Sequence, residues 1–251
     1  MRALLEKHRS GGDSFPLIGG HRGCTCAYQE NTIPAMAEGL MNGASYLEVD
    51  VQLSKDGIPV IFHDTDTEEK TGLKGCVNDF TFEELNRNYI VQSLEEVMNW
   101  GKANNVYFAL ELKAETYRTK DANIRLLPVM NEVITGAGMI DNVEAFGIDY
   151  DVLKRLKKVN KRLDIGLIVP FIPSDPVALM REMDAMIYLS YVFNLTEESI
   201  ASLQKSGYYV SGAILRKPEL IRYAIESQVD MFEHDYPEQF KGEERRKVWL
   251  R

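Results

Sequence analysis

The chain has 251 residues, is 45% hydrophobic and carries 38 acidic against 29 basic side chains, for a formal net charge of -9. One sizeable core is affordable at this length. The acidic balance argues against a nucleic-acid or anionic-membrane partner, but leaves room for a phosphorylated small molecule held by local cations and a metal. No apolar run approaches the ~18 residues that span a bilayer, so no stable membrane insertion is expected. Residues 1–10 are charged and lack the apolar centre of a signal peptide, which makes the cytoplasm the expected compartment. Three cysteines, Cys24, Cys26 and Cys76, are an odd number in a chain long enough to fold without staples, and suggest no disulfide framework. Nothing in the sequence speaks to oligomeric state.

In chain order, short apolar runs rich in β-branched and aromatic residues predict strands over 15–20, 46–53, 106–111, 143–147, 165–169, 186–190, 208–214 and 229–233. Helix start signals fall between them. Thr32 followed by Pro34 opens the first helix. Thr81-Phe82-Glu83-Glu84 and Ser93-Leu94-Glu95-Glu96 read as capping boxes. Residues 150–159 are amphipathic, and Asp175-Pro176, Thr196-Glu197-Glu198 and Pro218 begin three more helices. After the second strand, Ser54-Lys55-Asp56-Gly57 reads as a tight turn, with 58–62 as an extended return and 65–92 as a long loop. No repeat or linker divides the chain, so one domain over 1–251 is expected. Eight strands alternating with helices, each strand nearly all apolar, suit a closed (β/α)8 barrel with a short insertion after the second strand. The competitor is an open doubly wound sheet. It usually shows a glycine-rich phosphate turn, and Gly19-Gly20-His21-Arg22-Gly23 fits none.

In such a barrel chemistry collects at the C-terminal ends of the strands. Glu48 and Asp50 lie two apart on the second strand, so they share a face; Glu111 and Lys113 repeat the arrangement on the third. Three converging carboxylates repel unless a cation sits among them, and all-oxygen ligands select Mg2+, Ca2+ or Mn2+ over zinc. The alternative is a structural ion-pair layer with Lys113 or Arg22. His21 ends the first strand and His63 ends the return after the second. Two imidazoles flanking a phosphate could act as general acid and general base, and the Arg22 fork suits phosphate oxygens. Cys24 and Cys26 have no further soft ligands at metal spacing and read as packing residues or exposed thiols.

The ordered set His21-Arg22-Gly23, Glu30-Asn31-Thr32, Glu48-Val49-Asp50, the run from Lys55-Asp56-Gly57 to His63-Asp64, and Glu111-Leu112-Lys113 resembles the glycerophosphodiester phosphodiesterase family. Weaker echoes reach Asp235-Tyr236-Pro237. The resemblance implies a (β/α)8 barrel that cleaves glycerophosphodiesters, a small-molecule substrate class, to glycerol 3-phosphate and an alcohol with Mg2+ or Ca2+. It makes Glu48, Asp50 and Glu111 the metal ligands and His21 and His63 the acid/base pair. Arg22 and Lys113 would lie on the phosphate. Asn31 and Thr32 read as helix-capping and loop-ordering residues first, and as site residues second. A related enzyme acting on lysophospholipids would need an apolar groove, and a non-catalytic phosphate-ligand-binding barrel is the alternative outside enzymes.

Two stretches depart from the family. Ala213-Ile214-Leu215-Arg216 stands where it usually has Trp-Thr-Val-Asn, which removes an indole wall from the alcohol side. Phe232-Glu233-His234-Asp235 replaces an apolar pair followed by Thr-Asp. Glu233 and His234 are therefore possible substrate contacts, with a hydrogen-bonded rim histidine the plainer reading of His234. Tyr188, Tyr191 and Phe171 are candidate pocket walls or ordinary packing residues.

Overall fold

The computed structural model describes residues 1–12, 15–25, 27–213 and 215–249, with only the backbone of Thr116 and of residues 243–245. Ten strands form: β1 (Leu17–His21), β2 (Tyr46–Leu53), β3 (Pro59–Ile61), β4 (Gln92–Ser93), β5 (Phe108–Leu112), β6 (Val143–Gly147), β7 (Asp164–Val169), β8 (Ile187–Tyr191), β9 (Tyr209–Ala213) and β10 (Met231–His234). β3 and β4 pair antiparallel beyond β2. The other eight are parallel, and β1 pairs with both β10 and β2, which closes the barrel. These eight are the expected strands. β2 and β6 match residue for residue, and the rest differ by one or two residues at an end.

Period-two alternation splits each barrel strand between two cores. Ile18, Leu47, Val49, Val51, Leu110 and Leu112 face outward into the layer packed under the helices. Leu17, Tyr46, Ala109, Ile187, Tyr209 and Met231 fill the lower part of the barrel interior. Burial on both faces is why the strands read as continuous apolar runs. The expected caps form. Thr32, Asp175 and Thr196 accept from backbone N–H groups in the first turns of their helices, and the boxes at Thr81 and Ser93 are reciprocal. Gly23, at φ +92°, lies so close to the first of these helices that a Cβ would sit 2.6 Å from the Ala35 backbone. This seats the helix against the loop that carries Arg22.

Three elements depart from the sequence expectations. Residues 1–10 are not merely a charged lead-in: a helix over Arg2–Ser10 turns Met1 and Leu5 into the floor cluster and ties Arg9 to Asp230. Its apolar residues, Met1, Ala3, Leu4 and Leu5, crowd one end and are too few to show a period. A 21-residue helix, Thr116–Gly136, follows β5, and its interior Pro128 obscured the pattern. The segment 65–92 is not an open loop. Besides the short helix at Phe82–Leu85 that the Thr81 box announces, it holds single helical turns at Glu68–Thr71 and Val77–Asp79, and a small core of Val60, Phe62, Val77, Leu85 and Val91. Each turn is too short to show a period. The tight turn after β2 is present, with the Gly57 N–H donating to the Ser54 carbonyl at 3.0 Å. Among the described residues, no helix is long and apolar enough to cross a membrane.

Candidate active site

Strand register assembles the acidic centre. His21 on β1 pairs with Glu48 on β2, and Asp50 pairs with Glu111 on β5. Each of the three carboxylates offers an oxygen, and the three oxygens lie within 4.8 Å of one another. Glu48 and Asp50 are each 1% exposed. Burial pushes the Glu48 carboxyl well above the usual range, and the nearby Asp50, Glu233 and Glu111 charges add to this. Burial works the same way on Asp50, but Lys113, His63, Arg22 and the Asn31 amide together outweigh it and hold Asp50 low.

The cations expected on a phosphate lie against this trio. Lys113 Nζ is 2.8 Å from Glu111 Oε1 and 3.3 Å from Asp50 Oδ1. The Arg22 guanidinium is 2.9 Å from Glu30 and 3.6 Å from Asp50. An ion-pair layer is therefore present, yet it leaves the trio incompletely satisfied. Glu48 Oε1 and Asp50 Oδ1 are buried without a hydrogen-bond partner. Buried carboxylate oxygens left bare on one side, converging with a third carboxylate, fit a hard divalent cation with oxygen ligands.

Each histidine is tied through Nδ1. Asp235 Oδ1 lies 2.5 Å from His21 Nδ1, and Asp64 Oδ1 lies 2.5 Å from His63 Nδ1. The Nδ1–H then donates to the carboxylate, leaving Nε2 for chemistry. His21 Nε2 is 4.0 Å from Glu48 Oε2. Burial disfavours the His21 imidazolium, but the Asp235 bond and the Glu233 charge outweigh it, so its pKa lies above the ordinary value.

Two loop residues hold the centre from a left-handed backbone, Arg22 at φ +53° and Asn31 at φ +59°. The Arg22 N–H donates to Glu48 Oε2 at 2.9 Å. The Asn31 amide donates to Asp50 Oδ2 at 2.8 Å, and its oxygen accepts from the Asp50 N–H at 3.3 Å. Such conformations persist where the surroundings compensate their cost. Thr32 is the cap, as expected; the Asn31 side chain bonds Asp50 instead, in line with its second reading as a site residue.

Some partners were not singled out from the sequence. Asp235 was only part of a weak echo. Lys70, on the short helix of the insertion, bridges Glu30 and Asp64, 3.0 Å from Asp64 Oδ2. It thereby links the Arg22 loop to the His63 loop. Glu233 and His234 were singled out as possible substrate contacts, and Glu233 adds a further carboxylate beside the trio. Burial lifts its pKa to about 7, with His21 opposing the rise and Glu111 and Asp50 adding to it. His234 is hydrogen-bonded at the rim, accepting from the Tyr236 N–H at 3.0 Å.

A cavity of about 600 Å3 opens from His21, Glu111 and Lys113 across the β6–β10 side of the mouth. Tyr191 lines it, whereas Tyr188 faces the outer core and Phe171 stands 52% exposed beyond β7. Ala213 and Leu215 also line the cavity; Ile214 lies outside the described residues. Cys24 and Cys76 are buried packing residues, and Cys26 also lies outside the described residues.

Residues 21–239 match the model of the glycerophosphoryl diester phosphodiesterase family. The chain is 27% identical to a glycerophosphodiester phosphodiesterase of Caldanaerobacter subterraneus, over 88% of this chain and 95% of that one. The fold is similar to a solved Oleispira antarctica phosphodiesterase in complex with the product sn-glycerol-3-phosphate, with a TM-score of 0.81, 22% identity and coverage of 93% and 97%. It is also similar to a glycerophosphodiester phosphodiesterase from Parabacteroides distasonis, with a TM-score of 0.79, 18% identity and coverage of 95% and 98%.

Proposed function

Because the chain belongs to the glycerophosphoryl diester phosphodiesterase family and is a phosphoric diester hydrolase, we propose that it cleaves a glycerophosphodiester to glycerol 3-phosphate and an alcohol at the β1–β2–β5 end of the barrel. Glu48, Asp50 and Glu111 hold a divalent cation, Mg2+, Ca2+ or Mn2+. His21 and His63 are the acid/base pair, and Arg22 and Lys113 bind the phosphoryl oxygens. The observation that carries this reading is the trio of oxygens within 4.8 Å, two of its members presenting buried atoms without a hydrogen bond.

A bound cation would supply Lewis-acid neutralisation of charge building on the phosphoryl oxygens. The side chains do the rest. Lys113 and Arg22 add fixed positive charge where the diester sits, in a largely buried site where water screens it less than on the surface. One imidazole takes a proton at Nε2 from the attacking hydroxyl, and the other delivers a proton from Nε2 to the departing alkoxide. Asp235 and Asp64 fix the tautomer and ring orientation that make both transfers possible. The cavity beyond Lys113 receives the organic part of the substrate.

The test is turnover of glycerophosphocholine with and without a chelator. The reading expects turnover that the chelator stops and added Mg2+, Ca2+ or Mn2+ restores, and that His21→Ala or His63→Ala abolishes in a folded protein. Tight binding of the diester without turnover would instead favour a phosphate-ligand-binding barrel.

A further inference from the structure

Strand register leaves the barrel thinly filled just beneath the acidic centre. Following the pairings around the barrel, and advancing one residue per strand for the tilt, brings Gly19, Ala109, Gly166 and Ser211 to one height on the inner face. Bulky branched side chains usually fill such a layer, yet none of these four is larger than serine. By the same register the layer above holds Glu48, Phe146, Leu189 and Glu233, and the layer below holds Tyr46, Glu144, Ile187 and Met231. Two polar groups reach up from below. A Cβ on Gly19 would lie 2.8 Å from the Tyr46 hydroxyl, and a Cβ on Gly166 would lie 3.6 Å from Glu144 Oε2. Tyr46, Glu144 and Ser211 are 0%, 2% and 1% exposed, and Tyr46 Oη, Glu144 Oε2 and Ser211 Oγ are buried without a hydrogen-bond partner.

An apolar space in a protein interior stays dry, whereas one lined by two to four polar groups takes water. The donor set here suits water. Two hydroxyls can donate to its oxygen, and its own protons can go to carboxylate oxygens. One carboxylate is Glu144. The other is Glu233, the register partner of Gly19, whose side-chain place the Tyr46 hydroxyl takes. After burial, the Glu233 charge weighs most on that hydroxyl, ahead of Glu144 and Glu48, and pushes its pKa up. Glu233 also lines the cavity beside His21.

We propose that a buried water occupies this layer, accepting from Tyr46 Oη and Ser211 Oγ and donating to Glu144 and Glu233. Tyr46 and Ser211 are thereby positioning residues, aiming a Glu233 carboxylate that accepts from a hydroxyl of the bound diester. The role of Glu233 toward substrate rests on the hydrolase reading above; the water site does not.

Atomic-resolution crystal structures grown in NaCl and in RbCl read the site directly. One density peak is expected about 2.5–3.0 Å from both Tyr46 Oη and Ser211 Oγ, with no anomalous signal in the rubidium crystals. No peak, or a rubidium ion in its place, overturns the water site. A double-mutant cycle on turnover of glycerophosphocholine tests the positioning. Tyr46→Phe keeps the ring over Gly19 and removes only the hydroxyl; Ser211→Ala does the same on the facing strand and carries the cycle if Tyr46→Phe does not fold. Each should lower kcat/KM about three- to tenfold, and the same change made in Glu233→Ala should cost less than about twofold, because coupled residues are not additive. An equal loss in both backgrounds, or no loss in either, overturns the positioning role. If the wild type turns over no diester, the hydrolase reading and the Glu233 role fall together, and the crystals still decide the water site.

Discussion

Asp235 Oδ1 sits 2.5 Å from His21 Nδ1, joining the loop after the last barrel strand to the end of the first across 214 residues of sequence. A carboxylate in that place fixes which imidazole nitrogen carries the proton. Asp235→Asn keeps the size and removes the charge, so kcat should fall about 10²–10⁴-fold, the range for losing a correctly poised acid or base, with KM changed far less. The Asp235 side chain is 44% exposed, so melting temperature should hold. Steady-state kinetics with a thermal melt separates these outcomes; a large stability loss with kcat intact would make Asp235 a structural residue.

Lys70 ties the insertion to the barrel through Glu30 and Asp64. Lys70→Met leaves two partly buried carboxylates without their shared cation, and we expect a loss of about 1–3 kcal/mol in unfolding free energy. Since Asp64 also orients His63, kcat should drop about tenfold or more. Denaturant melts and kinetics on the same variant check both parts.

Like charges dominate the acidic centre when no cation is bound. Glu48→Gln removes one of them, so the variant should be at least as stable as wild type in chelator, although inactive. Wild type should gain stability with added divalent cation by mass action, about 2.7 kcal/mol at a hundredfold excess over Kd. Glu48→Gln should gain far less. Paired thermal shifts across a cation titration make the comparison.

Glu144 lies inside the barrel below Phe146, 2% exposed, with Oε2 lacking a hydrogen bond. Burial lifts its pKa from 4.5 to about 8. The folded protein then holds a proton that the unfolded chain has lost between those two values. Its contribution to stability is complete below pH 4.5 and fades as pH rises toward 8, by no more than about 5 kcal/mol. Glu144→Gln should gain stability relative to wild type as pH goes from 5 to 8, measured by denaturant midpoints at each pH. A constant difference across that range would contradict the burial argument.

The barrel and its acidic centre were legible because both follow from period two. Glu48 and Asp50 must share a face, and neighbouring parallel strands then bring Glu111 beside Asp50. The partners that finish the site were not legible. Asp235 meets His21 only when the barrel closes, and Lys70 stands on a helix of four residues whose packing, not pattern, aims it. Asn31 carried a capping signature that its neighbour Thr32 satisfies, which masked its bond to Asp50. The floor helix was obscured because its charged face dominates its composition.

The most direct test of the account is anomalous scattering from crystals of the protein grown with Mn2+. The account predicts one strong peak within coordination distance, about 2.0–2.6 Å, of oxygens from Glu48, Asp50 and Glu111 together. A fully occupied Mn2+ elsewhere on the chain, with those three carboxylates still paired to Lys113 and Arg22 and no peak among them, would contradict it.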